Sequence, residues 1–346
     1  MLSTIFRGIK TTRTRDGVAI SSLGADGIPW SIERVPERVV AIGDVHGDIV
    51  GFASILYELG LIGKSGSWEG GGTHVVLNGD LVGGRNARLL LSMILRLKRE
   101  AAPAGGALHC LLGNHDIRVF FKRYQSREGK TLFKKYPVRN ACKRTVKDAF
   151  SRDTELARWT RERNTVIRIG DTLFAHAGLN NWALRHHVKR INATVRAWIR
   201  YWQGVGEPPD PRTEWAALGP ESDWSAPSTG PLWTRSFKVP ERSSPIDDDP
   251  NPPTTEELER VLRKYHVRRM VIAHNPNPGS EILLEHPTYG HHVVMIDTRL
   301  SDRKGGRLSC IEIQPDDVLV HYPKRRKTAE KIKKRELEAL KKLRAE

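Results

Sequence analysis

The 346-residue sequence lacks three features that would assign it to a specialised class of protein. Its only cysteines, Cys110, Cys142 and Cys310, are scattered and odd in number. They predict neither a disulfide framework nor a CxxC metal site, and they favour a reducing compartment. No run of about 18 apolar residues is present, so we expect no membrane span. There are no internal repeats, and the composition is ordinary for a globular protein of one or two domains.

What the sequence has in excess is positive charge. The formal net charge of +17 at pH 7 predicts attraction to anions such as phosphorylated substrates, nucleic acid or acidic surfaces. Residues 117–150 carry 11 Lys or Arg against two acidic residues, and residues 324–346 carry 11 against four. We expect these basic segments to contact polyanions. The simpler alternative is that they form a solvated face that aids solubility.

The composition divides the chain into three parts. We expect residues 1–36 to form a flexible basic N-terminal segment, whose first 15 residues fit a transit peptide as well as a frayed terminus. Residues 37–322 are predicted to form one α/β domain, with Pro-, Gly- and Ser-rich loop insertions near 203–253. Residues 323–346 form a basic charged tail with the composition of a solvated helix. We expect an intracellular location, in the cytoplasm or in a mitochondrion or plastid.

Strand and helix patterns alternate from Arg38 onward. Buried-strand patterns at "RVVAIG", "THVVLNG" and "ALHCLLG" are separated by amphipathic helix patterns at "DIVGFASILYELGLI" and "NARLLLSMILRLKRE". This order predicts right-handed crossovers and a parallel sheet. Later strands are predicted at "TVIRIGD", "TLFAHAG", "VRRMVIAH", "HHVVMID" and "LSCIEI", and a capped helix at "TTEELERVLRKYH".

Potential metal ligands follow five of the predicted strands. They are Asp44 and His46, Asp80, Asn114 with His115, His176, and His274. Because the carboxyl ends of parallel strands form the ligand crevice, we expect these side chains to converge at one edge. Carboxylate, amide and imidazole donors suit transition metals such as Mn, Fe, Zn or Ni. A carboxylate shared by two ions about 3.5–4 Å apart would give a clamp for phosphoester hydrolysis.

Taken singly, each candidate ligand has a simpler explanation. Asp44 or Asp80 would serve to cap the helix that follows it, and His176 or His274 would serve as a core histidine. The joint spacing favours the metal site, because Asp-x-His, Gly-Asp and Gly-Asn-His all fall at strand ends.

Seven motifs occur in a fixed order over residues 38–315: "GDVHG", "GDLVGGR", "LLGNHD", "DTLFAHAGL", "GPLWTRSF", "RRMVIAHNPNPG" and "VVMID". They resemble the calcineurin-like metallophosphoesterase superfamily, in its phosphoprotein phosphatase branch, and most of all the Shewanella-like protein phosphatases. "GDLV" with "GNHD" also resembles diadenosine tetraphosphatase relatives. The resemblance implies an α/β protein with the calcineurin-like metallophosphoesterase fold, a central β-sandwich flanked by helices. Residues 37–322 would be its catalytic domain.

The resemblance also implies roles for the motif residues. Two divalent ions, manganese, iron or zinc, would be held by Asp44 and His46 on one side, by Asn114, His176 and His274 on the other, and by Asp80 as the bridge. Metal-activated water would attack phosphorus, and His115 would protonate the leaving oxygen as general acid. Arg235, in "LWTR", would bind the phosphate. A surface arginine in a loop is the alternative for Arg235.

The chain departs from the family pattern at one point that bears on the substrate. The Asp-Arg pair of the family motif GDxVDRG is replaced by Gly83 and Gly84, and Arg85 follows one position late. The missing Asp would orient the general acid, and the missing Arg would hold phosphate. We therefore expect reduced activity or a shifted substrate range, and we expect Arg85 to share the phosphate with Arg235.

These expectations describe a metal-dependent phosphoric ester hydrolase that acts on phosphomonoesters of proteins. Two alternatives stay open. One is hydrolysis of nucleotide phosphoanhydrides, such as diadenosine polyphosphates or RNA caps, by the same chemistry. The other is a weakly catalytic basic module that binds nucleic acid. The intact metal ligands argue against this last alternative, and the lost Asp-Arg pair argues for it.

Overall fold

The computed structural model of the chain describes residues 22–23, 28–84, 86–118, 154–213, 230–239, 252–301, 305–315 and 317–345. Several expectations lie outside the described residues. They concern most of the N-terminal segment 1–36, Arg85, nearly all of the basic segment 117–150 and much of the loop region 203–253.

The strands are β1 (Ser22–Leu23), β2 (Pro29–Ile32), β3 (Val39–Ile42), β4 (His74–Leu77), β5 (Ala107–Cys110), β6 (Val166–Ile169), β7 (Thr172–Ala175), β8 (Arg269–Ile272), β9 (Val293–Met295), β10 (Cys310–Ile313) and β11 (Val318–His321). The α-helices with both ends described are α1 (Ile49–Glu58), α2 (Ala87–Ala101), α3 (Glu155–Thr160), α4 (Val188–Trp202), α5 (Thr255–Lys264) and α6 (Lys327–Ala345). Residues 114–118 are also helical, at the end of a described range.

The strands form two mixed sheets. The six-stranded sheet has the order β1-β2-β6-β7-β8-β9, and the five-stranded sheet has the order β11-β10-β3-β4-β5. Strands β3, β4 and β5 are parallel, as the alternation of strand and helix predicts. Strand β10 pairs antiparallel with both β3 and β11. Strands β6 and β7 pair antiparallel around the predicted tight turn.

The two sheets pack face to face around an apolar core. Ala41 of the five-stranded sheet and Phe174 and Val271 of the six-stranded sheet are fully buried in one cluster. Because side chains alternate along a strand, Val40 lies on the outer face and joins a different cluster. The predicted β-sandwich is therefore confirmed.

Helices cover the outer faces of both sheets, as the predicted fold requires. Phe52 of α1 and Leu90 of α2 are fully buried against the five-stranded sheet. Val195 of α4 is buried in the same cluster, and α4 contacts β2 of the six-stranded sheet. Leu258 and Val261 of α5 are buried against the six-stranded sheet. Helix α5 begins with the predicted cap, which is a complete capping box. Helix α4 was not predicted.

Helix α6 corresponds to the basic tail, and its environment differs from the prediction. The tail is helical as expected, but Ala329 and Ile332 are fully buried against α1 and α2. Nε of Arg96 on α2 donates to Oε1 of Glu336 at 3.0 Å. The prediction of a solvated helix is wrong for this face, because a narrow apolar stripe is enough to attach a mostly charged helix to the fold.

Candidate metal centre

The structure brings the predicted metal ligands together at one end of the sandwich. They lie in the turns after five strands: Asp44 and His46 after β3, Asp80 after β4, Asn114 and His115 after β5, His176 after β7 and His274 after β8. The prediction of a single sheet edge is wrong, because β3, β4 and β5 belong to the five-stranded sheet and β7 and β8 to the six-stranded sheet. The ligands therefore converge across the sandwich.

Asp80 lies between the imidazoles of three histidines. Its Oδ2 is 3.7 Å from Nε2 of His46 and 3.9 Å from Nε2 of His115. Its Oδ1 is 3.5 Å from Nε2 of His176. Because the carboxylate is 1% exposed and uses both oxygens in this way, two cations can share it.

Asp44 is the second buried carboxylate of the site. Its Oδ2 is 3.5 Å from Nε2 of His46, and its Oδ1 is 3.7 Å from Nδ1 of His176. Oδ1 also accepts a hydrogen bond of 3.3 Å from the main-chain N–H of His274. Oδ1 of Asn114 lies 3.3 Å from Nε2 of His176. All six predicted ligands thus belong to one contiguous cluster.

Two groups in this cluster have ligand atoms close enough to hold a metal ion. They are His46, Asp80 and His115, and Asp44, Asp80 and His176, with ligand atoms within 4.8 Å of one another in each group. Asp80 belongs to both groups. The division differs from the expected one, which pairs Asp44 with His46 and treats His115 as an acid only. The central place of Asp80 is the same in both schemes.

Three ligand residues have left-handed backbone conformations. Their φ angles are 47° at His46, 50° at Asp80 and 63° at His274. Such conformations cost about 1–3 kcal/mol each in non-glycine residues and concentrate at functional sites. The main-chain N–H of His46 donates to the carbonyl of Asp80 at 2.8 Å, which ties two of these turns together. Gly113 lets the turn after β5 come close to Asp80, since a Cβ there would lie 2.2 Å from the nitrogen of Asp80.

A main-chain carbonyl orients each buried histidine of the site. The ring nitrogens and carbonyl oxygens lie 2.9–3.3 Å apart in three pairs: His46 Nδ1 with Val82, His176 Nδ1 with Asn78, and His274 Nε2 with Trp233. A carbonyl only accepts hydrogen bonds, so these nitrogens carry the ring protons. The other nitrogen of each ring is left to bind a cation, and such outer hydrogen bonds are typical of metal-ligating histidines.

The pKa shifts of three site residues favour the forms that bind metal ions. Burial raises the pKa of the Asp80 carboxyl, but His176 and the neighbouring imidazoles lower it, and the net pKa lies below its usual range. The pKa of Asp44 is lowered in the same way, with burial opposed mainly by His176. Burial, assisted by the charge of Arg235, holds the pKa of His274 well below its usual range. Ionised carboxylates and neutral imidazoles are the forms that bind metal ions.

His115 differs from the other site histidines in its exposure. Its side chain is 37% exposed, whereas the side chains of His46 and His176 are 6% and 0% exposed. The main-chain N–H of His115 donates to Oδ1 of Asp80 at 2.8 Å. His115 is therefore fixed to the cluster through its backbone, while its imidazole lies at the mouth of the site.

One of the two arginines expected to bind phosphate can be placed. Nη1 of Arg235 donates to the carbonyl of His274 at 2.9 Å and to Oδ1 of Asn275 at 3.0 Å. Arg235 therefore lies beside the ligand turn after β8. Arg85 is outside the described residues.

Two side chains at the mouth were not singled out from the sequence. Nη1 of Arg118 lies 3.3 Å from Nε2 of His115. The guanidinium of Arg118 also lies over the indole of Trp233, 4.7 Å from the ring centre. Residues three and four apart on a helix share a face, so the spacing of Arg118 from His115 and Asn114 was a usable signal. It was obscured because Arg118 begins a long basic segment.

A buried ion pair supports the turns after β4 and β5. Nη2 of Arg163 lies 2.7 Å from Oδ2 of Asp116, and the two side chains are 2% and 0% exposed. Asp116 also accepts hydrogen bonds of 3.0 Å from the main-chain N–H groups of Val82 and Gly113. The sequence pattern contains Asp116 only as the last residue of "LLGNHD", and nothing in it identifies Arg163 as the partner.

The comparison with known families agrees with this geometry. The family model described as calcineurin-like phosphoesterase matches residues 37–278. The chain belongs to the calcineurin-like phosphoesterase family. The expected class of metal-dependent phosphoester hydrolase is thus confirmed at the level of the family, and the groups around Asp80 are the candidate sites for its divalent ions.

Curated relatives of this calcineurin-like chain include Shewanella-like phosphatases, as the motifs suggest. Shewanella-like protein phosphatase 2 of Arabidopsis thaliana is 32% identical over 209 residues, which cover 49% of this chain and 53% of the relative. Shewanella-like protein phosphatase 1 of Plasmodium berghei is 23% identical over 282 residues, which cover 80% of this chain and 69% of the relative. The match thus spans about half the length of the Arabidopsis protein.

Solved structures show the same fold. The cold-active protein-tyrosine phosphatase of a psychrophilic Shewanella species has a TM-score of 0.64 and 21% identity, and the match covers 92% of this chain and 89% of that one. A point mutant of a cold-active protein tyrosine phosphatase has a TM-score of 0.63 and 22% identity, with 85% and 80% covered. Among the described residues of our calcineurin-like chain, no helix has the length and apolarity to cross a membrane.

Proposed function

We propose that the protein is a binuclear metal-dependent phosphatase that hydrolyses phosphomonoesters of proteins. The observation that carries the proposal is the position of Asp80, which offers one oxygen to His46 and His115 and the other to His176. A carboxylate shared in this way can hold two divalent ions at the short separation of a two-metal site. The family and the protein phosphatases among the relatives support the same class of reaction.

The donor set fits two divalent ions. We assign one ion to Asp44, His46 and Asp80, and the other to Asp80, Asn114, His176 and His274. Their carboxylate, amide and imidazole donors favour manganese, iron or zinc. When bound, two such ions act as Lewis acids on the phosphoryl group and lower the pKa of water enough to supply a nucleophile near neutral pH.

His115 is assigned as the proton donor. As the bond between phosphorus and the leaving oxygen breaks, the imidazole gives a proton to that oxygen. The partly exposed position of His115 at the mouth supports this role, because the leaving group of a protein substrate must extend toward solvent. Its main-chain hydrogen bond to Asp80 keeps the imidazole at a fixed place relative to the metal ligands.

Arg235 and Arg85 are assigned to the phosphate of the substrate. Arg235 lies next to His274 and is half-buried, so its charge faces the site in a partly desolvated place. The choice of phosphoproteins over nucleotides rests on the names of the relatives, which are protein phosphatases.

A panel of substrates tests the proposal. Purified protein with Mn²⁺ is assayed on p-nitrophenyl phosphate, on phosphopeptides carrying Ser, Thr or Tyr phosphate, on diadenosine tetraphosphate and on capped RNA. We expect hydrolysis of the phosphopeptides, loss of activity after chelation, and recovery when Mn²⁺ is restored. Hydrolysis of the dinucleotide or cap alone would instead support the nucleotide alternative. No hydrolysis by protein shown to contain metal would contradict the proposal.

A further inference from the structure

The turn at Gly83 and Gly84 has no room for the arginine that the family motif carries there. A Cβ at Gly84 would lie 2.2 Å from the carbonyl oxygen of His46. Gly83 has a φ of 140°, and a Cβ there would lie 2.8 Å from Nδ1 of His46. Because His46 is one of the assigned metal ligands, a side chain at either position would displace a ligand. The cation that the family motif places at position 84 must therefore be supplied by another residue.

Arg118 lies where such a cation is needed. Its Nη1 is 3.3 Å from Nε2 of His115, whose Nε2 is in turn 3.9 Å from Oδ2 of Asp80. The guanidinium stacks on Trp233, whose main-chain carbonyl accepts a hydrogen bond from His274. Arg118 thus joins the two sides of the ligand cluster, reaching His115 from the turn after β5 and Trp233 beside the turn after β8.

Neither the indole nor the imidazole in these two contacts carries a negative charge. An indole face attracts a cation and fixes the plane of the guanidinium, and an imidazole is uncharged when it accepts a hydrogen bond. A phosphate oxygen is a stronger acceptor than an imidazole nitrogen, because charge-assisted hydrogen bonds are shorter and stronger. A bound phosphate would therefore take over the N–H that Arg118 gives to His115. Nε2 of His115 would then be open to take up a proton from solvent, and this is the proton that it gives to the leaving oxygen.

We propose that Arg118 is a phosphate-binding residue of the active site and replaces the arginine that Gly84 excludes. The proposal rests on the proposed function. In this proposal Arg235 has a second role, because its Nη1 stabilises the turn of His274 and Asn275 by hydrogen bonds. Arg118 then supplies the contact to phosphate on the side of the site where His115 acts.

The test is the binding of inorganic phosphate to the Mn²⁺-loaded full chain, measured by calorimetry in parallel with metal content and turnover. Arg118→Ala is compared with wild type and with Arg118→Lys. The matched control is Arg263→Ala, which removes a helical arginine that is 63% exposed and pairs with Glu259 on the surface of α5. A thermal melt of each variant reports whether it is folded.

We expect Arg118→Ala to weaken phosphate binding by about ten- to a hundred-fold, the effect of one charge-assisted hydrogen bond, with metal content unchanged. Arg118→Lys should recover part of the affinity, because it keeps the charge and loses the planar fork. Arg263→Ala should bind phosphate like wild type.

If neither Arg118 variant differs from wild type in phosphate binding, or if both lose metal, the proposal is overturned. Absence of turnover by wild type that still binds phosphate would count against the proposed function alone, since binding reports on Arg118 without catalysis.

Discussion

Ionisable side chains lie in opposite environments in two regions of the described chain, the turns at the strand ends and helix α6. In the turns, Asp44 and Asp80 are buried, and each carboxylate lies within 4 Å of more than one imidazole. On α6, Lys331, Lys334 and Arg335 are exposed. The same kinds of residue are thus desolvated and mutually constrained in one region and hydrated in the other.

This difference shows which charges matter for the proposed activity. The net charge of +17 is the most conspicuous feature of the composition, and α6 contributes eight Lys or Arg against three Glu. Exposed charges of this kind contribute little to stability and act on solubility and long-range attraction. The buried turns contain few charges, but each of them is oriented by hydrogen bonds and fixed in its ionisation state. We therefore expect large effects of substitution in the turns and small effects on α6.

Among variants that leave the assigned metal ligands intact, the largest effect is expected for His115→Asn. Removing the proton donor should lower kcat/KM on alkyl phosphates by about 10²–10⁴-fold, the usual contribution of general acid catalysis. Aryl phosphates, whose leaving groups need less protonation, should lose less. The measurement is kcat/KM on a phosphoserine peptide and on p-nitrophenyl phosphate. Equal losses on both substrates would show that His115 is not the acid.

The next effect is expected for the buried pair of Asp116 and Arg163. Asp116→Asn leaves the Arg163 charge buried without its partner and should lower the free energy of unfolding by about 3–5 kcal/mol. The control is Glu259→Gln, which breaks an exposed pair with Arg263 and should cost no more than about 0.5 kcal/mol. The free energy of unfolding of both variants is measured by denaturant titration. Similar small losses would mean that Asp116 and Arg163 do not support the turns.

A smaller effect is expected for the buried stripe of α6. Ile332→Ala removes a fully buried side chain and should lower the free energy of unfolding by about 2 kcal/mol, at the low end for such truncations. Helix α6 packs on the outer helices α1 and α2, so truncating Ile332 should disturb the metal centre little. We expect kcat/KM to stay near that of wild type. A stability equal to that of wild type would indicate that α6 is not docked in solution.

The smallest effect is expected for the exposed face of the same helix. Lys334→Ala should change the free energy of unfolding by no more than about 0.5 kcal/mol, as is usual for surface substitutions. Activity on a small substrate should be unchanged. Thermal melts and kinetics alongside Ile332→Ala give a direct comparison of the two faces. A loss of stability as large as that of Ile332→Ala would show that the two faces of α6 do not differ in their contribution to stability.

Much of the fold was predictable from local patterns. Strands β3, β4 and β5 and helices α1 and α2 follow from hydrophobic periodicity, which also implies their parallel order. The division into two sheets was not predictable from periodicity, because the insertion of β10 between β3 and β11 joins residues far apart in sequence. Helix α4 was missed although Val195 and Trp202 recur on one buried face. The packing of α6 against the fold was not evident from the sequence, because it depends on few apolar residues.

The candidate site was predictable where a motif carries several ligands. Asp44 with His46, and Asn114 with His115, are each recognisable by their glycine neighbours at a strand end. Arg118 was not, since a basic run conceals one functional arginine among many. The close packing of the Gly83-Gly84 turn was not predictable either. The structure shows that the turn of Gly83 and Gly84 is closed by contact with His46, so restoring Asp and Arg there should disturb the site.

The central claim is that Asp80 is shared by two metal ions, and metal content tests it most directly. Wild type, Asp80→Asn and the control Asp171→Asn are loaded with Mn²⁺, freed of excess metal and analysed by mass spectrometry, with turnover measured on the same samples. Asp171 is a half-exposed residue that pairs with Arg268 on the surface. The account predicts two ions per chain in wild type and control, and loss of both ions and of turnover in Asp80→Asn. Two ions and full turnover in Asp80→Asn would contradict it.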